Sequence, residues 1–498
     1  MTLDTDLYSI QEVRTYLTEA KEAQKKLATY SQEKIDAIVA AMSKAGAEAA
    51  ERLAAMAVEE TGFGNVPDKR MKNLFAAESV YAWIKDMKTV GIIGKDEENK
   101  VWEVAQPFGV VAGIVPSTNP TSTVIFKSMI AIKARNAIVF SPHPSAAACT
   151  LEAARLMAQA AASAGAPEGL IHCVSKPTLP ATNELMKHKL TNVILATGGS
   201  PMVRAAYSSG KPAYGVGPGN VPVYIHHSAD TGAAAKRIVQ SKTFDYGTIC
   251  ASEQALVIEE SVKHQMIAAL KREGAYFLDD HEKEKVAAII MVNGSLNAKI
   301  VGRSPQTIAQ MAGISIPAGT RVLIAEETGV GKAYPLSVEK LAPILAMYTV
   351  HDEQEGFARC QELLEQGGLG HTAGIHAQDD RVIAAYGQAM PASRIPVNTG
   401  TTFGGIGATT GIQPSFTLGC GSFGNNITSD NIGPKHLFNI KRVAFGIREM
   451  PESKPAESQP QASAAEEAVM QAVSTMNIGL SRDEIKSIIK SVLTEMTS

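Results

Sequence analysis

Residues 109–117, Gly-Val-Val-Ala-Gly-Ile-Val-Pro-Ser, form a continuous apolar run closed by proline, and residues 137–145, Ala-Ile-Val-Phe-Ser-Pro-His-Pro-Ser, form another. Such runs are what a strand buried on both faces of a parallel sheet requires. Between them residues 122–134, Ser-Thr-Val-Ile-Phe-Lys-Ser-Met-Ile-Ala-Ile-Lys-Ala, carry a helical period. An Ala-rich helix over 146–169 follows, closed by Gly and Pro, then strands near 192–200 and 222–227. The β-α-β rhythm from 109 to about 226 predicts a doubly wound α/β sheet. After residue 250 the alternation resumes, with strands read at 254–260, 321–327, 341–350, 372–378 and 393–399. A second α/β domain is expected there.

Before residue 90 the chain reads as helical and charged. Ser31 is placed to cap a helix whose Ile35, Ile38, Val39 and Met42 recur at helical spacing, and a further helical stretch runs near 69–88. Residues 89–108 hold two short strand-like runs around an Asp-Glu-Glu-Asn turn, the pattern of a hairpin. Residues 434–447 read as a helix or strand returning to the body. Residues 451–475 have three prolines, no aromatic residue and many Ser, Gln, Ala and Glu, which predicts a flexible linker. In the following stretch Ser481 and Glu484 are spaced as a capping box, with Leu480 and Ile485 as its staple. Ile485, Ile488, Ile489, Val492, Leu493 and Met496 then share one helical face, and Lys486, Lys490 and Glu495 lie off it.

At 498 residues the chain is long enough for two or three domains with sizeable cores. A net charge of −3 without a basic run argues against a nucleic-acid partner. Five widely spaced cysteines make no disulfide framework, and no CxxC or Cys/His cluster suggests zinc, so no metal site is expected. A reduced, cytoplasmic setting follows. The N-terminus has no apolar core of a secretory signal, and no uncharged apolar run reaches the roughly 18 residues that span a bilayer, so no membrane association is expected.

Cys250 lies in Ser-Lys-Thr-Phe-Asp-Tyr-Gly-Thr-Ile-Cys-Ala-Ser-Glu-Gln, residues 241–254. A lone cysteine is usually a small buried apolar residue. This one follows Gly and Thr in a short polar stretch between regular segments, where a loop presents a nucleophile. Cys149, Cys173, Cys360 and Cys420 are read as structural.

The stretch Phe244–Gln254 resembles the active-site signature of the aldehyde dehydrogenase family, in the form of its coenzyme-A-acylating branch. The resemblance covers roughly residues 30–448 and is closest to the aldehyde dehydrogenase half of bifunctional aldehyde–alcohol dehydrogenases, without the iron-dependent alcohol dehydrogenase half. It implies an α/β aldehyde dehydrogenase fold with a Rossmann-like cofactor domain (1–88 and 109–240) and an α/β catalytic domain (241–425). A β oligomerisation arm (89–108 and 430–448), a linker (451–475) and an amphipathic helix (476–498) complete it.

The resemblance also implies roles. Cys250 is the nucleophile, and Asn119, in the words Ile-Val-Pro-Ser-Thr-Asn-Pro, is the oxyanion donor. His371, in Gly-Leu-Gly-His-Thr-Ala-Gly, is a candidate for proton transfer, and Phe416 for a wall of the aldehyde pocket. Glu339 is matched to the residue that holds the nicotinamide ribose. Thr197, Gly198, Gly199 and Ser200 form the turn beneath the cofactor phosphates, and Ser141, Pro142 and His143 lie toward the adenosine. Thr118 and Gly217 join the cofactor set. Where hydrolytic relatives carry a water-activating Glu, the alignment places Gly215, and residues 215–220 hold no acid. A thioester on Cys250 is then expected to pass to a thiol such as coenzyme A rather than to water.

The expected reaction converts a short-chain aldehyde, NAD and coenzyme A to acyl-coenzyme A and NADH in a homodimer or homotetramer. A hydrolytic enzyme and an inactive dehydrogenase-like scaffold are the alternatives. The terminal helix is similar to the encapsulation peptides of bacterial microcompartments, which implies shell proteins as partners and a microcompartment location.

Overall fold

The computed structural model describes residues 4–451, 464–476 and 478–496. The first sheet contains β1 (Val110–Val115), β2 (Ala137–Pro142), β3 (Ile171–Cys173), β4 (Val193–Thr197) and β5 (Ala213–Val216). Their order is β3-β2-β1-β4-β5, and every pairing is parallel. β1 and β2 are buried at every residue, which is why both read as unbroken apolar runs. The helix Pro120–Lys133 between them is also buried throughout. From it Lys127 donates to the carbonyls of Ile114 on β1 (2.7 Å) and Leu195 on β4 (2.9 Å), and burial pushes its pKa down to about 7. The strand order reverses between β1 and β4. In a doubly wound sheet the crevice beyond the carboxyl ends of two such strands is where a ligand binds.

The second sheet contains β6 (Val221–Ile225), β7 (Glu253–Glu259), β8 (Ala275–Phe277), β9 (Val322–Glu326), β10 (Ile344–Val350) and β11 (Gly374–His376). Its order is β8-β9-β10-β7-β6-β11, again all parallel. The boundary expected at 240/241 places β6 with the first sheet, but β6 pairs with β7 and β11 in the second. The chain therefore crosses between sheets at 217–220. Nothing in an apolar strand such as 222–227 distinguishes the sheet it will join, because both sheets bury parallel strands on two faces.

Strands Gly91–Asp96, Val101–Pro107 and Phe438–Ala444 form a separate three-stranded sheet with Val101–Pro107 at its centre. The hairpin read at 89–108 is present, and the returning segment is a strand exposed at every residue after Phe438.

Residues 96–101 and 444–498 make a second unit. Within it a helix spans Ala464–Ser474, inside the stretch read as a linker. No proline follows Pro460 there, and Ala, Glu, Met and Gln are strong helix formers. Residues 452–463 of the expected linker lie outside the described residues. The last helix spans Arg482–Met496. At its start the Ser481 hydroxyl and backbone N–H both donate to Glu484 Oε2 (2.7 and 2.8 Å). Ile488 and Val492 on this helix are exposed, and the side chain of Met496 lies outside the described residues. No helix among the described residues is long and apolar enough to cross a membrane.

Candidate active site

Cys250 is delivered by a left-handed detour of the chain. After the helix Thr231–Thr243 the backbone takes φ values of 49° at Asp245, 51° at Tyr246 and 78° at Gly247. Two of these residues carry a Cβ, and such a turn persists only where its surroundings hold it. The Asp245 carboxylate provides the hold. Fully buried, it accepts from Lys69 Nζ (2.9 Å), from Lys72 Nζ in a short contact, from Thr248 Oγ1 (2.7 Å) and from the Asn65 N–H (3.0 Å). Its own N–H donates to Asp68 Oδ2 at 2.7 Å. β7 begins three residues after Cys250, so the cysteine is held between a pinned turn and a fully buried strand.

Lys72 carries this network to Asn119, donating to Oδ1 at 2.6 Å. An ammonium only donates, so the bond fixes which way the amide faces. The Asn119 NH₂ group is turned toward the Thr248 carbonyl (3.2 Å) and Thr118 Oγ1 (3.1 Å). Burial pushes Lys72 down to about 8 against the pull of Asp245. Burial also works against the Asp245 carboxylate, but Lys72 and Lys69 outweigh it and hold its pKa below the usual value.

A cavity of about 550 Å³ opens in front of these groups. Its wall brings together Cys250, Thr118, Asn119, His143, Thr197, Gly198, Gly199, Gly217, Glu339 and Phe416. Phe416 is set edge-on to Phe75 (5.5 Å between centroids) and to Phe126 (6.2 Å). Ser141 and Pro142 line an adjoining cavity of about 230 Å³ that shares His143 and Thr197–Gly199 with the first. Ser200 opens the helix Ser200–Tyr207, and its side chain lies outside the described residues.

The joint edge of the two cavities fits a dinucleotide. The buried hydroxyl of Thr197 has no hydrogen-bond partner among the described residues, and no side chain caps the helix that starts at Ser200. A Cβ at Gly217 would meet open space. An unpaired donor and a free helix N-terminus suit an anionic phosphate.

The structure does not bring His371 to the cleft. It is fully buried, and Gly219 packs between it and the cysteine backbone: a Cβ there would fall 2.0 Å from the Cys250 carbonyl oxygen and 3.1 Å from His371 Nδ1. Burial and then Arg394 push His371 down to about 3, so its ring is neutral. A histidine in a glycine-rich loop reads alike whether it faces a cleft or backs it. Gly215 also faces away, toward Val203 and Tyr207, while Val216, Gly217 and Pro218 meet the cleft. Glu339 is therefore the one carboxylate on the cavity wall among the described residues, and its Oε1 accepts from the Gly219 N–H at 2.8 Å.

Burial pushes the Cys250 thiol up to about 12, with further contributions from Glu339 and Cys420, while Arg394 and the residue's own backbone N–H oppose the rise. Burial also pushes Glu339 up to about 7. Alkylation of the free protein by iodoacetamide should thus climb with pH through about pH 10 without a plateau. Because the Glu339 carboxylate disfavours the thiolate, Glu339→Gln should speed the reaction at about pH 9 by about three- to tenfold, the effect of half to one pKa unit. A Cys250→Ala blank corrects for other sites. A plateau below about pH 8, or no change in the variant, would contradict this electrostatic picture.

Lys69, Lys72 and Asp245 were not anticipated. Lys69 and Lys72 sit in the charged stretch Asp68-Lys-Arg-Met-Lys72, which reads as a solvated helix face, and their partner lies 176 and 173 residues away. The one available signal was Asp245 inside the Cys250 signature itself.

Residues 4–295 match the model of the aldehyde dehydrogenase family. The bifunctional aldehyde-alcohol dehydrogenase of Escherichia coli is 46% identical over 441 residues, covering 88% of this chain and 50% of that protein. The chain thus spans about half the length of that curated relative. A crystal structure of an acetylating aldehyde dehydrogenase from Geobacillus thermoglucosidasius aligns with a TM-score of 0.90 at 69% identity, covering 91% of this chain and 100% of that one. A propionaldehyde dehydrogenase from the fucose utilisation bacterial microcompartment of Clostridium phytofermentans aligns with a TM-score of 0.79 at 30% identity, covering 87% and 97%.

Proposed function

The chain belongs to the aldehyde dehydrogenase family, in its acylating branch, and from that premise we propose that Cys250 oxidatively acylates coenzyme A from a short-chain aldehyde. The observation that carries this reading is the pairing of Cys250 with an amide-fixed Asn119 on a cleft whose 215–220 segment offers Val216, Gly217 and Pro218 but no acid. When bound, the nicotinamide dinucleotide supplies the hydride acceptor; Thr197–Ser200, Gly217 and Glu339 are the residues that would hold it.

The remaining chemistry falls to this chain's side chains. The Cys250 thiol gives up its proton to solvent in the cleft, and Sγ forms a bond to the aldehyde carbon as the carbonyl electron pair moves onto oxygen. In this reading the Asn119 NH₂, turning from the Thr248 carbonyl and the Thr118 hydroxyl, and the Cys250 N–H donate to that oxygen, each such donor contributing about 10²–10³ in rate. After oxidation the acyl group rests on Sγ as a thioester. The coenzyme A thiolate attacks the acyl carbon, the bond to Cys250 breaks, and the cysteine sulfur leaves as thiolate. A thiolate needs no general base, whereas water does, and the carboxylate present, Glu339, is engaged by Gly219.

The purified full chain supplied with NAD⁺ and acetaldehyde should form NADH steadily with coenzyme A. Without it, the steady-state rate should fall by about 10²-fold or more, the size of a missing general-base contribution. Free acid produced as fast without coenzyme A as with it would sink the acyl-transfer assignment.

We further propose that the three-stranded sheet of the 89–108 and 430–448 segments is a homo-oligomerisation arm, as its exposed Ile92, Ile440 and Val443 favour. We also propose that the segment 476–498 addresses the enzyme to a microcompartment shell. Exposed Ile488 and Val492 support this, as does the likeness to a microcompartment dehydrogenase. A fluorescent protein fused to residues 476–498 should concentrate with assembled shell proteins; a uniformly diffuse signal beside formed shells would reject the idea.

A further inference from the structure

A second set of chemistry-bearing side chains lies at the opposite end of the six-stranded sheet. β7 begins beside Cys250 and runs 7 residues to Glu259, so its carboxyl end is roughly 20 Å from the cleft. There Glu259 meets His226 and His227, which follow β6, and Glu353, the first residue of the helix Glu353–Gly367, lies beside His226. The ligand-capable atoms of His226, His227 and Glu259 all lie within 4.8 Å of one another. His226 Nε2 is 3.7 Å from Glu259 Oε1 and 3.6 Å from Glu353 Oε1. His227 Nδ1 is 2.6 Å from Glu259 Oε2.

Two independent features point to an ion at the centre of this group. His226 is 1% exposed, and its Nε2 has no hydrogen-bond partner among the described residues. A buried ring nitrogen is thus aimed between two carboxylate oxygens, each beyond hydrogen-bond reach. These separations are close to the edge of about 3.4 Å of a tetrahedron with metal–ligand bonds of about 2.0–2.1 Å.

The second feature is the support behind each group. His226 Nδ1 is 2.8 Å from Ser228 Oγ, which itself accepts from the Gln378 N–H at 2.9 Å. Glu259 accepts a short hydrogen bond from the Tyr224 hydroxyl and one from the His227 N–H at 3.0 Å. Arg381 grips Glu353 through both guanidinium nitrogens, at 2.7 and 3.2 Å. Metal-bound imidazoles and carboxylates are oriented by outer partners of this kind.

We propose that His226, His227 and Glu259 bind one divalent transition-metal ion, with zinc the best fit, and that Glu353, 3.6 Å from His226 Nε2, turns in as the fourth ligand. Two imidazoles with two carboxylates suit zinc, whereas magnesium and calcium take oxygen ligands. Four protein ligands close the coordination shell, so the ion is structural: it ties the ends of β6 and β7 to the start of the helix Glu353–Gly367 and takes no part at Cys250. The His227–Glu259 contact opens by less than about an ångström to admit it. Composition gave no sign of the site, because two adjacent histidines meet carboxylates from distant parts of the chain.

The full chain is stripped with EDTA, desalted, and loaded with zinc chloride, with cobalt chloride as a spectroscopic probe. One zinc per chain should survive a second desalting. The cobalt form should show tetrahedral visible absorption without a thiolate-to-cobalt charge-transfer band. Zinc should also raise the Tm of the wild-type chain. His226→Ala should weaken zinc binding by about 100-fold or more, and His227→Ala, at an exposed position that leaves the core intact, should do the same. The proposal is overturned if the wild-type chain keeps no zinc, if His227→Ala keeps as much as wild type, or if the cobalt spectrum carries the thiolate band of an ion at Cys250.

Discussion

Exchange of Cys250 for Ala should lower aldehyde-dependent NADH formation by on the order of 10⁴- to 10⁶-fold, the scale on which removal of a covalent nucleophile is felt. No other group on the cavity wall can take its place. Cys149, Cys173, Cys360 and Cys420 are all buried, and none lines the cleft. The hydroxyls of Ser117, Thr118, Thr123, Ser145, Thr197 and Thr248 do line it, but an ester on such an oxygen is a poorer acyl donor to a thiol than a thioester. The fold should hardly notice, because Cys250 is only half-buried and its replacement leaves a small void at the edge of a cavity. Dinucleotide binding, measured by calorimetry, should be retained, since Thr197, Gly198, Gly199 and Glu339 are untouched. A loss of less than about tenfold in turnover would place the nucleophile elsewhere.

The convergence on this cleft was legible because its residues sit where two regular patterns end. Asn119 follows the run 109–117 by two residues, and Thr197–Ser200 closes the strand near 192–200. A doubly wound sheet brings such endings together at its switch point. Cys250 and Glu339 needed more than pattern, since neither carries periodicity: Cys250 was readable from the Gly and Thr before it in a polar loop, whereas the placement of Glu339 came from the resemblance alone. The order of the second sheet, with β6 taken from the far side of the expected boundary, was not legible, because pairing partners are chosen by long-range packing. The same holds for His371, whose words match whether the ring faces the cleft or stands behind Gly219.

The network beneath Cys250 leads to the second large effect. Asp245→Ala should destabilise the protein by about 3–5 kcal/mol, the cost of removing one partner from a buried charge cluster. Lys69 and Lys72 are 3% and 2% exposed, and Asp245 is the carboxylate that both reach. Without it, the burial that already brings Lys72 to about 8 is opposed only weakly, so its pKa falls further. The sign with pH follows. Between the lowered folded value and the ordinary lysine value the unfolded chain binds more protons, so the variant gains stability as pH rises. Its deficit against wild type, read from Tm, should be widest near pH 6 and narrow toward about pH 9.

Activity should fall independently of stability. The left-handed residues 245–247 lose their anchor, and the ammonium that fixes the Asn119 amide loses its own support. Turnover of the folded fraction should drop by about 10²-fold, the worth of one misplaced oxyanion donor. Lys72→Met separates the two consequences. It keeps the Lys69–Asp245 pair at 2.9 Å and removes the clamp on Asn119 together with the bonds that Lys72 makes to Asp245 and Thr248. It should therefore cost a comparable factor in kcat with a smaller change in Tm and little change in KM for the dinucleotide. If Lys72→Met left kcat within about twofold of wild type, Asn119 would be oriented by Thr118 and Thr248 alone, and the charge cluster would serve the turn and not the chemistry.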